Sequence, residues 1–173
     1  MDIRRLDAQD QAALERFVAQ ISEGDRTFFK EDVADPEVVA TWLHRGATRS
    51  IAVDDGDVVG YLAVIPLQGW SSHVGEVRVI VAPEQRGRGI GRALAQHAVL
   101  EALGIDLRKL VVEVVADQEP TIAMFRSLGF EPEALLTDHV RDHAGGVRDL
   151  MVLAHSVDES FAALAAVGLT DAL

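Results

Sequence analysis

The sequence predicts an α/β domain built on a mixed β-sheet flanked by helices. Three observations predict it. An apolar, β-branched run at Val77, Val79, Ile80 and Val81 passes through a glycine-rich loop into a stretch of helical periodicity. A second apolar run, Lys109–Val115, follows that stretch, and two strands joined by a helical crossover pair in parallel. Two hairpin signals, Asp54-Asp55-Gly56-Asp57 and the RDHAGG of 141–146, each lie between strand-like runs, and hairpin strands pair antiparallel.

From the N-terminus, Asp7–Ile21 carries Ala13, Leu14, Phe17, Val18 and Ile21 at helical spacing, with Asp7 and Asp10 as an acidic start. Ser22–Asp35 is mixed and polar around Phe28-Phe29. Pro36 suits the first turn of a short helix reaching about His44. Ser50–Val53 and Asp57–Ile65 read as strands, and Pro66–His73 as the loop before the central run. That run, bounded by Pro83, reads as a strand buried on both faces. Ile90, Ala93, Leu94, Ala98 and Ala102 then recur at helical spacing up to Gly104. Thr121–Leu128 is a short helix after the break at Asp117–Pro120, with Gly129 placed for a left-handed cap. Glu133–Val140 and Val147–Ala154 are strand-like. Val157–Leu169 is an apolar-faced terminal helix, suited to pack on the sheet, cover an edge strand or form part of a homodimer contact.

Between the central strand and its helix, Gln85-Arg86-Gly87-Arg88-Gly89-Ile90-Gly91 holds three glycines in five positions. Glycines let backbone N–H groups approach a ligand closely, and a helix's first turn offers unpaired N–H donors and a favourable dipole. Arg86, Arg88 and Arg92 reverse the local sign in a chain of net charge −12. Together these predict a phosphate or pyrophosphate site. A P-loop needs Lys-Ser/Thr after its last glycine, where this chain has Arg92-Ala93. The G-x-G-x-x-G pattern fails from Gly87, which meets Arg92, and from Gly89, which meets Leu94.

What fits is Arg86-x-x-Gly89-x-Gly91 after a strand ending Val81-x-Pro83, which resembles the acetyl-CoA loop of the GNAT N-acetyltransferase superfamily. The order of elements is similar too, over residues 51–154 in detail and over 1–50 by order alone. The resemblance implies one GNAT-like domain over 1–173, with acceptor-side helices in 1–50, a splayed sheet in 51–154 and a terminal helix in 155–173. It implies acetyl transfer from acetyl-CoA to a primary amine, most simply of a small molecule. The pantetheine arm would pair with Val79, Ile80 and Val81, whose N–H groups would polarise the thioester carbonyl. Arg86, Gly87, Arg88, Gly89, Ile90, Gly91 and Arg92 would hold the pyrophosphate. Glu76 stands where many relatives carry a carboxylate base, and Arg78 shares its face of the strand. Glu113, an isolated carboxylate in an apolar strand, is the competing base. Gln118 replaces the usual Asn on the cofactor arm, and Phe125 replaces a Tyr that often protonates the leaving thiolate. Phe125 is equally a core residue of its helix.

Composition sets the remaining bounds. Hydrophobic residues at 49% provide for a sizeable core, which excludes disorder. The absence of cysteine excludes a disulfide scaffold, a thiolate metal site and a cysteine nucleophile. The acidic balance argues against nucleic acid as a partner. No signal peptide or apolar span appears in the sequence, so a cytoplasmic protein without membrane partners is expected. Asp138-His139 with Asp142-His143 reads as a polar loop rather than a metal site, and no metal is expected. Trp42 and Trp70 read as core or lid residues. Two alternatives stay open: acetylation of a protein N-terminus or lysine, and a module that senses acyl-CoA with little turnover.

Overall fold

The computed structural model describes residues 1–26, 29–33, 35–42, 47–142 and 144–158. Phe28, His44, His143 and all but the first two residues of the expected terminal helix lie outside the described residues. Seven strands form one sheet: β1 (Asp2–Arg5), β2 (Thr48–Asp54), β3 (Asp57–Pro66), β4 (Val74–Val81), β5 (Lys109–Val115), β6 (Glu131–Arg141) and β7 (Val147–Ser156). Their order is β1-β2-β3-β4-β5-β7-β6. Only β4 and β5 run parallel; the other five pairings are antiparallel. The helices are α1 (Gln11–Gln20), α2 (Glu23–Arg26), α3 (Pro36–Thr41), α4 (Ile90–Gly104) and α5 (Glu119–Arg126). No described helix is long and apolar enough to cross a membrane.

Three departures from the sequence reading have clear causes. Asp2-Ile3-Arg4-Arg5 has no strand-like alternation, yet it forms β1 through backbone pairing with Ser50–Val53 of β2. Its arginines are satisfied by Asp10 and Glu101, contacts remote in sequence or specific to the fold. The central strand is not buried on both faces. Gly75 and Val77 are buried, but the residues from Arg78 to Val81 are only half-buried. The pairing of β4 with β5 runs from Val74↔Lys109 to Val77↔Val112 and then stops, which uncovers the second half of β4. Ahead of the chain's first helix, Asp7 and Asp10 form a capping box on a three-residue 3-10 turn, so the α-helix begins only at Gln11.

The sheet carries a core on each face. Leu62, Val64, Val77, Leu110, Val112 and Val114 pack against Leu94, Ala95 and Ala98 of α4 and Phe125 of α5. Ile51, Tyr61 and Ala63 pack with Leu14, Phe17, Val39 and Trp42 of the N-terminal layer. Strand alternation separates these sets, so Val77 and Val79 look to α4 while Ile80 looks to the N-terminal layer.

The helix that follows the glycine loop lies unusually close to β3. A Cβ placed on Gly60 would stand 2.8 Å from Leu94 Cδ1 and 3.1 Å from Ile90 Cγ2. Gly60→Val is therefore expected to overpack this contact and destabilise the fold by ~1–3 kcal/mol in denaturant titration. Gly24→Ala, whose Cβ would meet nothing within 4 Å, should leave the midpoint near that of the wild type.

Candidate active site

The gap left by the parting of β4 and β5 is a cleft of about 900 Å³. Its rear wall is the half-buried stretch Arg78–Val81, and its far wall runs from Val112 to Val115. One end opens onto the glycine loop, where Gly87 has φ +77° and Gly89 has φ +82°. Gly89 is the N-cap of α4, in the left-handed region that a side chain would strain. Nothing lies within 4 Å of a Cβ built at either glycine, so this side of the loop is open. The N–H of Ala93 takes up the Gly89 carbonyl as the first helical bond, so the donors ahead of it have no intrahelical acceptor. A cradle of N–H groups at the positive end of a 15-residue helix fits a pyrophosphate.

The arginines expected to add charge here are held from other elements. Arg86 Nη2 stands 3.1 Å from Asp25 of α2, and Arg88 Nη2 stands 2.9 Å from Asp54 in the β2–β3 turn. Arg88 also donates to Gln85. Arg92 donates to the Ser127 hydroxyl at 2.6 Å, a neutral partner. Of the three, Arg92 is thus the one whose charge no carboxylate offsets among the described residues.

On the face of β4 turned to the N-terminal layer, Glu76 and Arg78 lie side by side, as their spacing predicts. Arg78 Nε donates to Glu76 Oε1 at 2.8 Å. The Lys30 ammonium reaches the same Oε1 at 2.9 Å and Glu113 Oε2 on β5 at 2.8 Å. The side chain of Glu76 is 13% exposed. Burial pushes its carboxyl up, but the bonds from Arg78 and Lys30 outweigh burial and hold it below the ordinary value. The stabilisation this ion pairing contributes is therefore complete above the usual carboxylate range and is lost as pH falls through the depressed value. Burial likewise disfavours charge on Lys30, yet its two carboxylates win and raise its pKa, so the ammonium stays ionised. Both cations thus reach Glu76 at Oε1.

The cleft brings together nearly every residue singled out in the sequence. Glu76, Val79, Ile80, Val81, Arg86, Gly87, Gly89, Ile90, Gly91, Arg92, Gln118 and Phe125 all line it, as does the competitor Glu113. Arg88 stands outside, drawn toward Asp54. Gln118 is the N-cap of α5 but makes no side-chain cap bond. Phe125 is 2% exposed and meets Phe130 edge-to-face at 5.1 Å, so most of its ring serves the core. Tyr61, the only tyrosine, does not replace it. It is sealed beneath Trp42 at 4.5 Å, accepts from Arg49 Nε, and burial pushes its hydroxyl up to about 12. Trp70 is 97% exposed, which rules out a core role. Asp142 is occupied by Gly146 N–H and Arg148 within its own hairpin, and no three metal-ligating groups converge among the described residues.

Sequence reasoning missed Lys30. It sits in the irregular polar stretch between α2 and α3, and no spacing rule ties it to a carboxylate 46 or 83 positions away. Its neighbours do the placing. Phe29 stacks on Trp42, Glu31 accepts from Trp42 Nε1 at 2.9 Å, and Val33 is buried.

Comparison with known proteins agrees with this geometry. The family described as Acetyltransferase (GNAT) family matches residues 14–130. The uncharacterized N-acetyltransferase YjgM of Escherichia coli K12 is 30% identical over 138 residues, covering 75% of this chain and 81% of that protein. The crystal structure of ribosomal-protein-alanine N-acetyltransferase from Brucella melitensis matches with TM-score 0.81 and 28% identity, over 90% of this chain and 99% of the other. The structure of yncA from Salmonella typhimurium, solved with its cofactor acetyl-CoA, shares the fold at TM-score 0.74 and 23% identity, over 91% and 94% of the two chains. The family match takes in the parted strands, the glycine cradle and α5 alike, so the chain belongs to the GNAT family of acetyltransferases and is an N-acetyltransferase.

Proposed function

We propose that this protein moves the acetyl group of acetyl-CoA to the primary amine of a small cationic molecule. The observation that carries the reading is the pair of carboxylates, Glu76 and Glu113, facing a single ammonium in the cleft beside the glycine cradle. The Gly87–Arg92 segment receives the CoA pyrophosphate, with Arg92 supplying charge. Beyond Val77 the edge of β4 toward β5 is no longer paired, so its backbone is available to the pantetheine arm along Val79–Val81. Main-chain N–H groups there stabilise negative charge as it develops on the thioester oxygen. Gln118 lies at the mouth of α5, within reach of the same arm.

An ammonium cannot attack a carbonyl, and an alkylamine with pKa near ~10.4 is almost wholly protonated at neutral pH. Glu76 is ionised under those conditions and takes the proton, directly or through water. The neutral amine nitrogen then bonds to the acetyl carbon as the carbon–sulfur bond breaks, and sheds its second proton to water to leave the amide. No hydroxyl stands at Phe125 to protonate the sulfur, so the thiolate leaves unassisted. With a thiol pKa near ~8.5 that departure is feasible at neutral pH. A peptide α-amine would satisfy the same two carboxylates. Acetyl-CoA-dependent thiol release, with mass detection over a panel of alkylamines, polyamines and short peptides, separates small-molecule from protein acceptors. Tight acetyl-CoA binding without release for any amine would instead favour a sensor.

Two variants probe the residues. Gly89→Val strains a left-handed N-cap and fills the open side of the cradle. It should weaken CoA binding ~10-fold or more by calorimetry. Gly145→Val, at φ +86° in the β6–β7 hairpin, carries similar strain and should leave CoA affinity unchanged. Glu76→Gln should lower kcat/KM by ~10²–10⁴-fold with little change in CoA affinity. The acidic limb due to Glu76 lies below its ordinary value of 4.5, because the folded pKa is depressed, and the Gln variant should lack it. An unaltered pH profile would transfer the role of base to Glu113, to water or to the substrate.

A further inference from the structure

Lys30 is out of place as a structural residue. It joins strands β4 and β5 where their pairing ends, for Glu76 lies opposite Val111 and Glu113 one residue past the last pair, and its ammonium stands between these two carboxylates at the cleft. Its side chain is 41% exposed, so the contacts are partly screened and cheap to break. The backbone around it is fixed independently. Phe29, Glu31 and Val33 anchor the segment to Trp42 and the N-terminal core, with Glu31 also 3.4 Å from Arg78. Lys30 can therefore leave by rotation about its own four-carbon stem, with no movement of the chain.

What it would leave behind is a cation site. With Lys30 withdrawn, Glu76 and Glu31 keep Arg78, while Glu113 loses the one cation paired with it among the described residues and Glu76 loses the partner it shared with Glu113. A lysine side chain is chemically a primary alkylammonium, the same group as the acceptor proposed above. We infer that the Lys30 ammonium is an internal stand-in for the acceptor, occupying the position between Glu76 and Glu113 that a substrate ammonium must take. The inference rests on the acceptor being a primary amine that enters beside Glu76. It assigns Lys30 a specificity role: an acceptor binds only by outcompeting a tethered amine. The acceptor's apparent affinity is thereby reduced by the fraction of time that Lys30 is withdrawn. The same contact explains how two carboxylates can share one small site while the acceptor is absent.

The probe is n-butylamine, whose four carbons and amine reproduce the displaced side chain. Its binding to the full chain saturated with CoA is measured by calorimetry at pH 7, and its acetylation by thiol release and mass detection of N-butylacetamide. If Lys30 is docked about nine-tenths of the time, Lys30→Ala binds the probe ~10-fold more tightly than wild type. Lys30→Met, which keeps the stem and removes the charge, gives a smaller gain in the same direction. Adding Glu113→Gln to Lys30→Ala abolishes the gain. Unchanged or weaker probe binding in both single variants, with wild-type thermal midpoint and CoA affinity, overturns the inference. The two readings fail separately. Tighter probe binding with no N-butylacetamide upholds the stand-in and defeats acetyl transfer by this site. Unchanged probe binding with another amine still acetylated does the reverse.

Discussion

Parallel pairing between β4 and β5 holds for four residue pairs and then ends. Everything that makes the site depends on that limit. Were the pairing to continue past Val77↔Val112, the backbone of Val79–Val81 would be consumed by a neighbouring strand and the cleft would close. A backbone donor in a sheet interior is normally satisfied by the ladder, so an uncovered stretch beside a cavity invites a ligand to complete it. β7 makes the opening sustainable. It pairs with β5 along seven positions, from Lys109↔Ser156 to Val115↔Leu150, so β5 keeps a partner on its other edge where it parts from β4.

The glycine cradle is held against this opening by the packing of α4. Gly60 lets the helix approach β3, and Ile90 and Leu94 fill the contact. The first turn of α4 is thereby aimed at the same cleft that the parted strands create. Salt bridges from Asp25 and Asp54 then fix Arg86 and Arg88 around the loop. These pairs are partly exposed and contribute little to stability. Their effect is to orient the loop and to temper its charge, in a chain of net charge −12.

The charge cluster at the acceptor end follows a different logic. Glu76 and Glu113 flank the point where the two strands part, and neither strand provides a cation between them. Of these two carboxylates Arg78 pairs with Glu76, and its other contact is with Glu31. The missing charge comes from the irregular segment after α2, the least regular part of the described N-terminal layer. A rigid scaffold thus presents the carboxylates while an adaptable side chain neutralises them, an arrangement suited to exchange with a ligand of the same chemistry.

By itself, the sequence determined the elements with strong local signals. The glycine loop, α4, the two hairpins and the left-handed Gly129 follow from periodicity and turn chemistry, which act over a few residues. The Arg86-x-x-Gly89-x-Gly91 pattern carried the family, because its N–H cradle needs those glycines in that order. The pairing of Arg78 with Glu76 was legible because side chains two apart on a strand share a face. Only the tertiary structure decided the rest. β1 exists because β2 offers it a paired edge, although its own four residues show no strand pattern. The half-exposure of Arg78–Val81 follows from where a neighbouring strand stops, which no property of those residues encodes. Lys30 meets Glu76 and Glu113 because three distant segments converge, and a contact formed by chain folding leaves no periodic trace in any one of them.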